Sequence, residues 1–292
     1  MELFSSLSGQ PNIERLYEKN DIEGLIKALE YYRGWEIREN AAKALGDLGN
    51  PQAVEALIHT LSDPFEMVRE SAAYALGNMD YEIVIDPLIN ALKRDDKYLR
   101  QGAAKALGNM KAKESVNSLI YALNDKYCEV QISAAESLGK IGAIEAIGPL
   151  GELLNTEPCT KKGIYVKEVV VEALGNIRNK KAVEPLVDAM KISCPDPTVH
   201  LDEETSWDNA VDLRDKASAS LLKIGDKSAV EPIIENLKSE NVWIRESAVV
   251  FLGNMGDKRA LNPLSNLLED DDEEIRKIAA EAIEIIKNQN PL

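Results

Sequence analysis

The sequence predicts an all-α fold, a right-handed solenoid of about seven two-helix repeats with a cap at each end. Three observations carry this. The string Ala44-Leu45-Gly46-Asp47-Leu48-Gly49 returns as Ala75-Leu76-Gly77-Asn78-Met79, Ala106-Leu107-Gly108-Asn109-Met110, Ser137-Leu138-Gly139-Lys140-Ile141-Gly142 and Ala173-Leu174-Gly175-Asn176-Ile177, then in weaker form around Leu221, Leu252 and Ile283. The central apolar residues stand 31, 31, 31, 36, 47, 31 and 31 residues apart, and a fixed period in this range marks stacked supersecondary units. On both sides of each string, apolar residues recur at helical spacing.

Residues 1–10 read as a polar lead-in. Pro11 is placed to open a helix carrying Ile13, Leu16 and Tyr17, and Asp21 to cap a second one with Ile22, Leu25, Ile26 and Leu29, so 11–33 is expected to be an N-terminal cap built from a partial repeat. In the first full unit Trp35 starts a helix whose buried face is Ala41, Ala42, Leu45 and Leu48. Gly49 is free to take the left-handed conformation that ends it, and Asn50-Pro51 begins the next. That second helix is expected to bury Val54, Leu57, Ile58 and Leu61 before Asp63-Pro64 breaks it. Later second helices keep the phase, down to Leu261, Leu264 and Leu268. Pro87, Pro149, Pro185, Pro232 and Pro263 are expected in their first turns, where a missing N–H costs little.

A basic residue precedes each central apolar residue by seven: Arg38, Arg69, Arg100, Lys167, Arg214, Arg245 and Arg276, with Gln131 the exception. Asp63, Asp125, Asp208 and Asp270 come six residues before their partner positions. Recurrence in every unit suits a ladder in which the Asp caps a helix start and the Arg ties neighbouring repeats. The last helix, after the acidic run 269–274, lacks the glycine turn and suits a terminal cap.

Composition narrows the function. Apolar residues make up 45% and aromatics 5%, enough for layers of aliphatic side chains between helices. The net charge of −16 argues against nucleic acid or an anionic membrane as partner, since both are polyanions. Three cysteines form no disulfide framework and fit a reducing cytoplasm, the expected location. No signal peptide or stretch of about 20 apolar residues is evident.

The unit Val/Ile-Arg-x-x-Ala-Ala-x-Ala-Leu-Gly, followed by Ala-Val-x-Pro-Leu, resembles the armadillo-like HEAT repeat, most closely the short variety named after phycobilisome (PBS) lyases, over roughly residues 20–290. The resemblance implies a binding scaffold and leaves two alternatives. One is a bilin-lyase-like subunit or chaperone for cofactor attachment. The other is an iron oxygenase like deoxyhypusine hydroxylase, a HEAT-repeat enzyme recognised by His-Glu pairs that ligate its iron. Here His59 precedes Thr60 and His200 precedes Leu201, so its ligands are absent. No catalytic set, metal site or cofactor is expected.

Insertions at 155–164 and 191–210 break the period, both ahead of a first helix, and are expected on one edge of a single array spanning 1–292. They carry Cys159, Cys194, His200 and Asp202, whose spacing matches no metal pattern and which read as unconnected loop residues. In HEAT arrays the second helices line the concave face. Glu55, Asp86, Tyr121, Glu152, Glu184, Asp188, Glu231 and Glu235 are the expected binding surface there, with Trp207 of the larger insertion as an anchor. An acidic groove attracts a basic protein or peptide, the expected partner of a monomeric chain.

Overall fold

The computed structural model describes residues 10–156, 160–192 and 203–289, and for residues 81, 161 and 203–211 the backbone alone. Among the described residues all regular structure is helical. Two compact units follow one another, Met1–Ile141 and Gly142–Leu292.

The first unit contains α1 (Ile13–Glu18), α2 (Ile22–Leu29), α3 (Trp35–Leu48), α4 (Val54–Thr60), α5 (Glu66–Asn78), α6 (Tyr81–Ala91), α7 (Lys97–Asn109), α8 (Val116–Ala122) and α9 (Cys128–Ile141). The first helices α3, α5, α7 and α9 pack side by side in one layer, and α2, α4 and α6 pack in sequence in the other. The second unit contains α10 (Ile147–Thr156), α11 (Lys161–Ile177), α12 (Val183–Ala189), α13 (Glu203–Ile224), α14 (Val230–Asn236), α15 (Val242–Met255), α16 (Leu261–Asn266) and α17 (Glu273–Gln289). Its first-helix layer is α11, α13, α15 and α17. Both units thus have the stacked helix pairs of an α-solenoid.

The recurring string is the seam between successive first helices. A methyl group placed on Gly46 would lie 2.6 Å from the Ala75 Cβ, and one on Gly253 would lie 2.9 Å from the Ala282 Cβ. Only a bare backbone permits that approach. Where serine stands at the facing position it adds a bond: Ser137 Oγ donates to the Ala104 carbonyl at 2.8 Å. The Leu and Ala residues of the string are buried on the other side, Leu45, Leu76, Leu107 and Leu138 completely.

The turn after the seam is a short device. Gly49, Gly142, Gly225 and Gly256 all have positive φ, between 61° and 74°. Lys111 and Arg178 occupy the same position with φ of 53° and 51°. The chain then makes a single 3₁₀ turn before the second helix proper, as at Pro51–Ala53, where Asn50 caps the turn by accepting from Gln52 N.

Four details differ from the sequence reading. Pro11 lies before the cap: Asn12 accepts from Arg15 N at 2.9 Å and α1 starts at Ile13. Pro149, Pro185, Pro232 and Pro263 are indeed in first turns, but Pro87 is inside α6. The cause is Asp80, which replaces the left-handed residue, keeps φ at −58° and caps α6 directly, so the 3₁₀ turn is absorbed into a longer helix. Leu268 is 43% exposed while Leu267 is buried. Here α16 tightens into a 3₁₀ turn, Leu267–Glu269, whose fewer residues per turn advance the buried phase by one position. Finally, Asp208 does not precede its helix, because α13 starts at Glu203 and contains it.

Candidate functional site

The basic row forms clamps between consecutive loops. Arg38 Nε and Nη2 donate to the two Asp63 carboxylate oxygens at 2.6 and 3.0 Å, and Nη1 donates to the Tyr31 carbonyl at 2.9 Å. Arg100 repeats this with Asp125, at 2.6 and 3.0 Å, and with the Arg94 and Asp95 carbonyls. Arg245 reaches Asp270 at 2.9 Å and the Ser239 carbonyl at 2.8 Å. Each Asp also accepts a backbone N–H two residues ahead: Phe65 on Asp63, Tyr127 on Asp125, and Asp272 on Asp270. The Asp thus accepts the N–H just ahead of the following helix and does not cap the helix itself, since Phe65 precedes α5 without a side-chain cap and Asp272 caps α17. Its clamp partner is the Arg 25 residues earlier. Burial pushes the Asp270 carboxyl up, and the Asp272 N–H together with Arg245 outweighs this and holds it below the usual range. The Asp125 hydrogen bond raises Arg100.

Other members of the basic row are held by other groups. Arg69 donates to the Asp63 carbonyl and lies 4.3 Å from the Tyr98 ring centre. Lys167 donates to the Leu154 carbonyl. Arg214 is buried, its Nη1 donates to the Ile192 carbonyl at 3.4 Å, its Nε has no hydrogen-bond partner among the described residues, and burial lowers its pKa. Beside it burial raises both Asp215 and Glu246.

The residues expected to contact a partner fall on the second helices. Glu55 on α4, Asp86 on α6 and Tyr121 on α8 are exposed in the first unit, Tyr121 at 79%. Glu152 on α10, Glu184 and Asp188 on α12, and Glu231 and Glu235 on α14 are exposed in the second. Three of these carry internal partners: Asp188 with Lys191 at 3.0 Å, Glu235 with Lys238 at 2.9 Å, and Glu231 with Arg259 at 3.3 Å. Trp207 lies on the backbone of α13, and its side chain is outside the description. Cys159, Cys194, His200 and Asp202 lie outside the described residues. Among the described residues no three His, Cys, Asp or Glu side chains gather as metal ligands, and no helix is long and apolar enough to cross a membrane.

The structure adds an edge that the sequence reading did not select. Trp35, Phe65, Tyr98 and Tyr127 stand at or next to the starts of four successive first helices. Trp35 stacks on Phe65 at 6.2 Å, and cations lie over the rings: Arg38 over Phe65 at 5.5 Å, Lys97 over Tyr98 at 4.8 Å, Arg100 over Tyr127 at 5.8 Å. At the start of this edge a cavity of about 560 Å³ opens between α2, α4 and the loops before α3 and α5. Glu30, Tyr32, His59 and Phe65 line it, together with the Arg38–Asp63 clamp. The available signal was the return of an aromatic at each helix start, which is hidden because its offset from the central leucine varies between 9 and 11 residues.

Stacked helix pairs, a glycine seam and an Arg–Asp ladder define a helical-repeat scaffold. The chain belongs to the HEAT-repeat family, whose model matches residues 22–96, 85–162 and 204–284. The PBS lyase HEAT-like repeat matches residues 166–191. Among solved structures, Kap95p, whose binding induces the switch loops of RanGDP to adopt the GTP-bound conformation, is similar with a TM-score of 0.62 and 18% identity, over 92% of this chain and 39% of that one. A Kap95:Nup1 complex gives 0.62 at 15% identity, over 95% and 42%. YibA of E. coli gives 0.53 at 21% identity, over 93% and 95%. The chain therefore spans about two fifths of the Kap95 chains it matches. No curated protein matches it.

Proposed function

We propose that the chain is a non-enzymatic scaffold or adaptor that binds a basic segment of another protein on its second-helix ridges, with Trp207 as an anchoring residue. One observation carries this. Glu55 and Asp86 in the first unit, and Glu152 and Glu184 in the second, are exposed on equivalent helices and have no ion pair among the described residues. A row of unpaired carboxylates on a chain of net charge −16 attracts positive charge. The protein partners named for the Kap95 structures agree with a solenoid used as a binding surface.

The test is retention of partners by the immobilised chain. A basic protein is expected, and its retention should fall as salt rises. Joint reversal to lysine of Glu184, Asp188, Glu231 and Glu235 should abolish retention, and unchanged retention would refute the ridge. Stoichiometric iron in the purified protein would overturn the non-enzymatic reading.

A further inference from the structure

We propose that the cavity between α2 and α4 receives an arginine side chain of the partner, its guanidinium paired with the Glu30 carboxylate and stacked against the Tyr32 and Phe65 rings. This rests on the basic-partner reading above and assigns it a specific anchor. Two charged lining groups cancel each other, because Arg38 and Asp63 hold one another at 2.6 and 3.0 Å. Glu30 is then the lining charge without an ion pair among the described residues, and it sets the sign of the site. The mouth is aromatic: Tyr32 is 78% and Phe65 49% exposed. Large rings left in water beside a concavity suit a partner's buried anchor. The volume of about 560 Å³ falls in the range of small-ligand pockets.

The chain's own guanidinium groups already lie over both rings. Arg33 lies over Tyr32 at 5.2 Å, and Arg38 lies over Phe65 at 5.5 Å. A guanidinium is flat, weakly hydrated and forked, so it stacks on a ring while pairing with a carboxylate, whereas an ammonium is a compact, strongly hydrated point charge. The site therefore prefers arginine to lysine at equal charge. Exposed Arg33 competes for the Tyr32 ring.

The experiment titrates the full chain into two fluorescently labelled short peptides, one alternating arginine with serine and the other lysine with serine, and reads anisotropy. The arginine peptide should bind about fivefold tighter. Glu30→Gln and Tyr32→Ala should each weaken it about tenfold and erase the preference, while Arg33→Ser should strengthen it. Circular dichroism checks that each variant is folded, and Glu30→Gln is a conservative exchange at an exposed position. If the two peptides bind equally, and joint reversal of Glu184 and Glu231 abolishes binding where Glu30→Gln does not, the cavity assignment falls and the ridge stands. If neither peptide binds, both fall.

Discussion

At the scale of single residues, the turn after the seam has one demanding position. Gly49, Gly142, Gly225 and Gly256 meet it, while Lys111 and Arg178 hold left-handed φ against the preference of any residue with a Cβ. Lys111→Gly and Arg178→Gly should therefore each stabilise the chain by about 0.5–1 kcal/mol, read as a raised urea midpoint with unchanged slope. No change would mean that the surrounding turn removes the strain. A second residue controls acid sensitivity. Hydrogen bonds from the Arg259 side chain hold the Asp257 carboxyl down at about 2, against the opposing push of burial. A carboxyl depressed on folding contributes stability fully above its unfolded value of about 3.9, and loses that contribution as pH falls through about 2. The stability gap between the parent chain and Asp257→Asn should be constant from neutral pH down to 5 and close between 4 and 2. A gap that persists at pH 2 would contradict this. The sequence displayed the four turn glycines, because their spacing from the seam is fixed. It concealed Lys111 and Arg178 at the same place, since nothing in those residue types signals a positive φ. It likewise displayed the Arg row and the Asp row but not their pairing 25 residues apart, because that pairing exists only once consecutive loops stack.

At the scale of the helix, tolerance to a side chain is set by the facing helix. Gly46 and Gly77 occupy equivalent places in α3 and α5, yet a Cβ on Gly46 would meet Ala75 at 2.6 Å, while one on Gly77 would meet Asn109 at an ordinary 3.6 Å. Gly46→Ala should thus destabilise by about 1–3 kcal/mol through overpacking, and Gly77→Ala should stabilise by about 0.5–1 kcal/mol through helix propensity. Thermal melts of the two variants should shift in opposite directions, and a shared direction would show that the seam yields. Helix number and buried phase were legible because the apolar period was strict. The exceptions lie where a local backbone event shifts the period: Asp80 removing a turn before α6, and the 3₁₀ turn that buries Leu267 in place of Leu268. The candidate ridge was legible as exposed positions, but its charge balance was not. Lys191, Lys238 and Arg259 pair with ridge acids, as only the folded geometry reveals.

At the scale of the whole molecule, a net charge of −16 means self-repulsion that folding concentrates. Added sodium chloride should raise the urea midpoint from low ionic strength to physiological levels, as screening relieves the repulsion. A midpoint that falls instead would place the weight on the surface ion pairs. The clamps carry a further consequence, for how such a chain can gain length over its history. Arg38–Asp63, Arg100–Asp125 and Arg245–Asp270 each fix an interval of 25 residues, and extra residues inside that interval would carry the Asp out of reach. The two expansions of the period, at 155–164 and 191–210, lie outside these three intervals. Growth is expected outside the clamped intervals, and the same rule marks where a reporter peptide can be grafted without disturbing the stack.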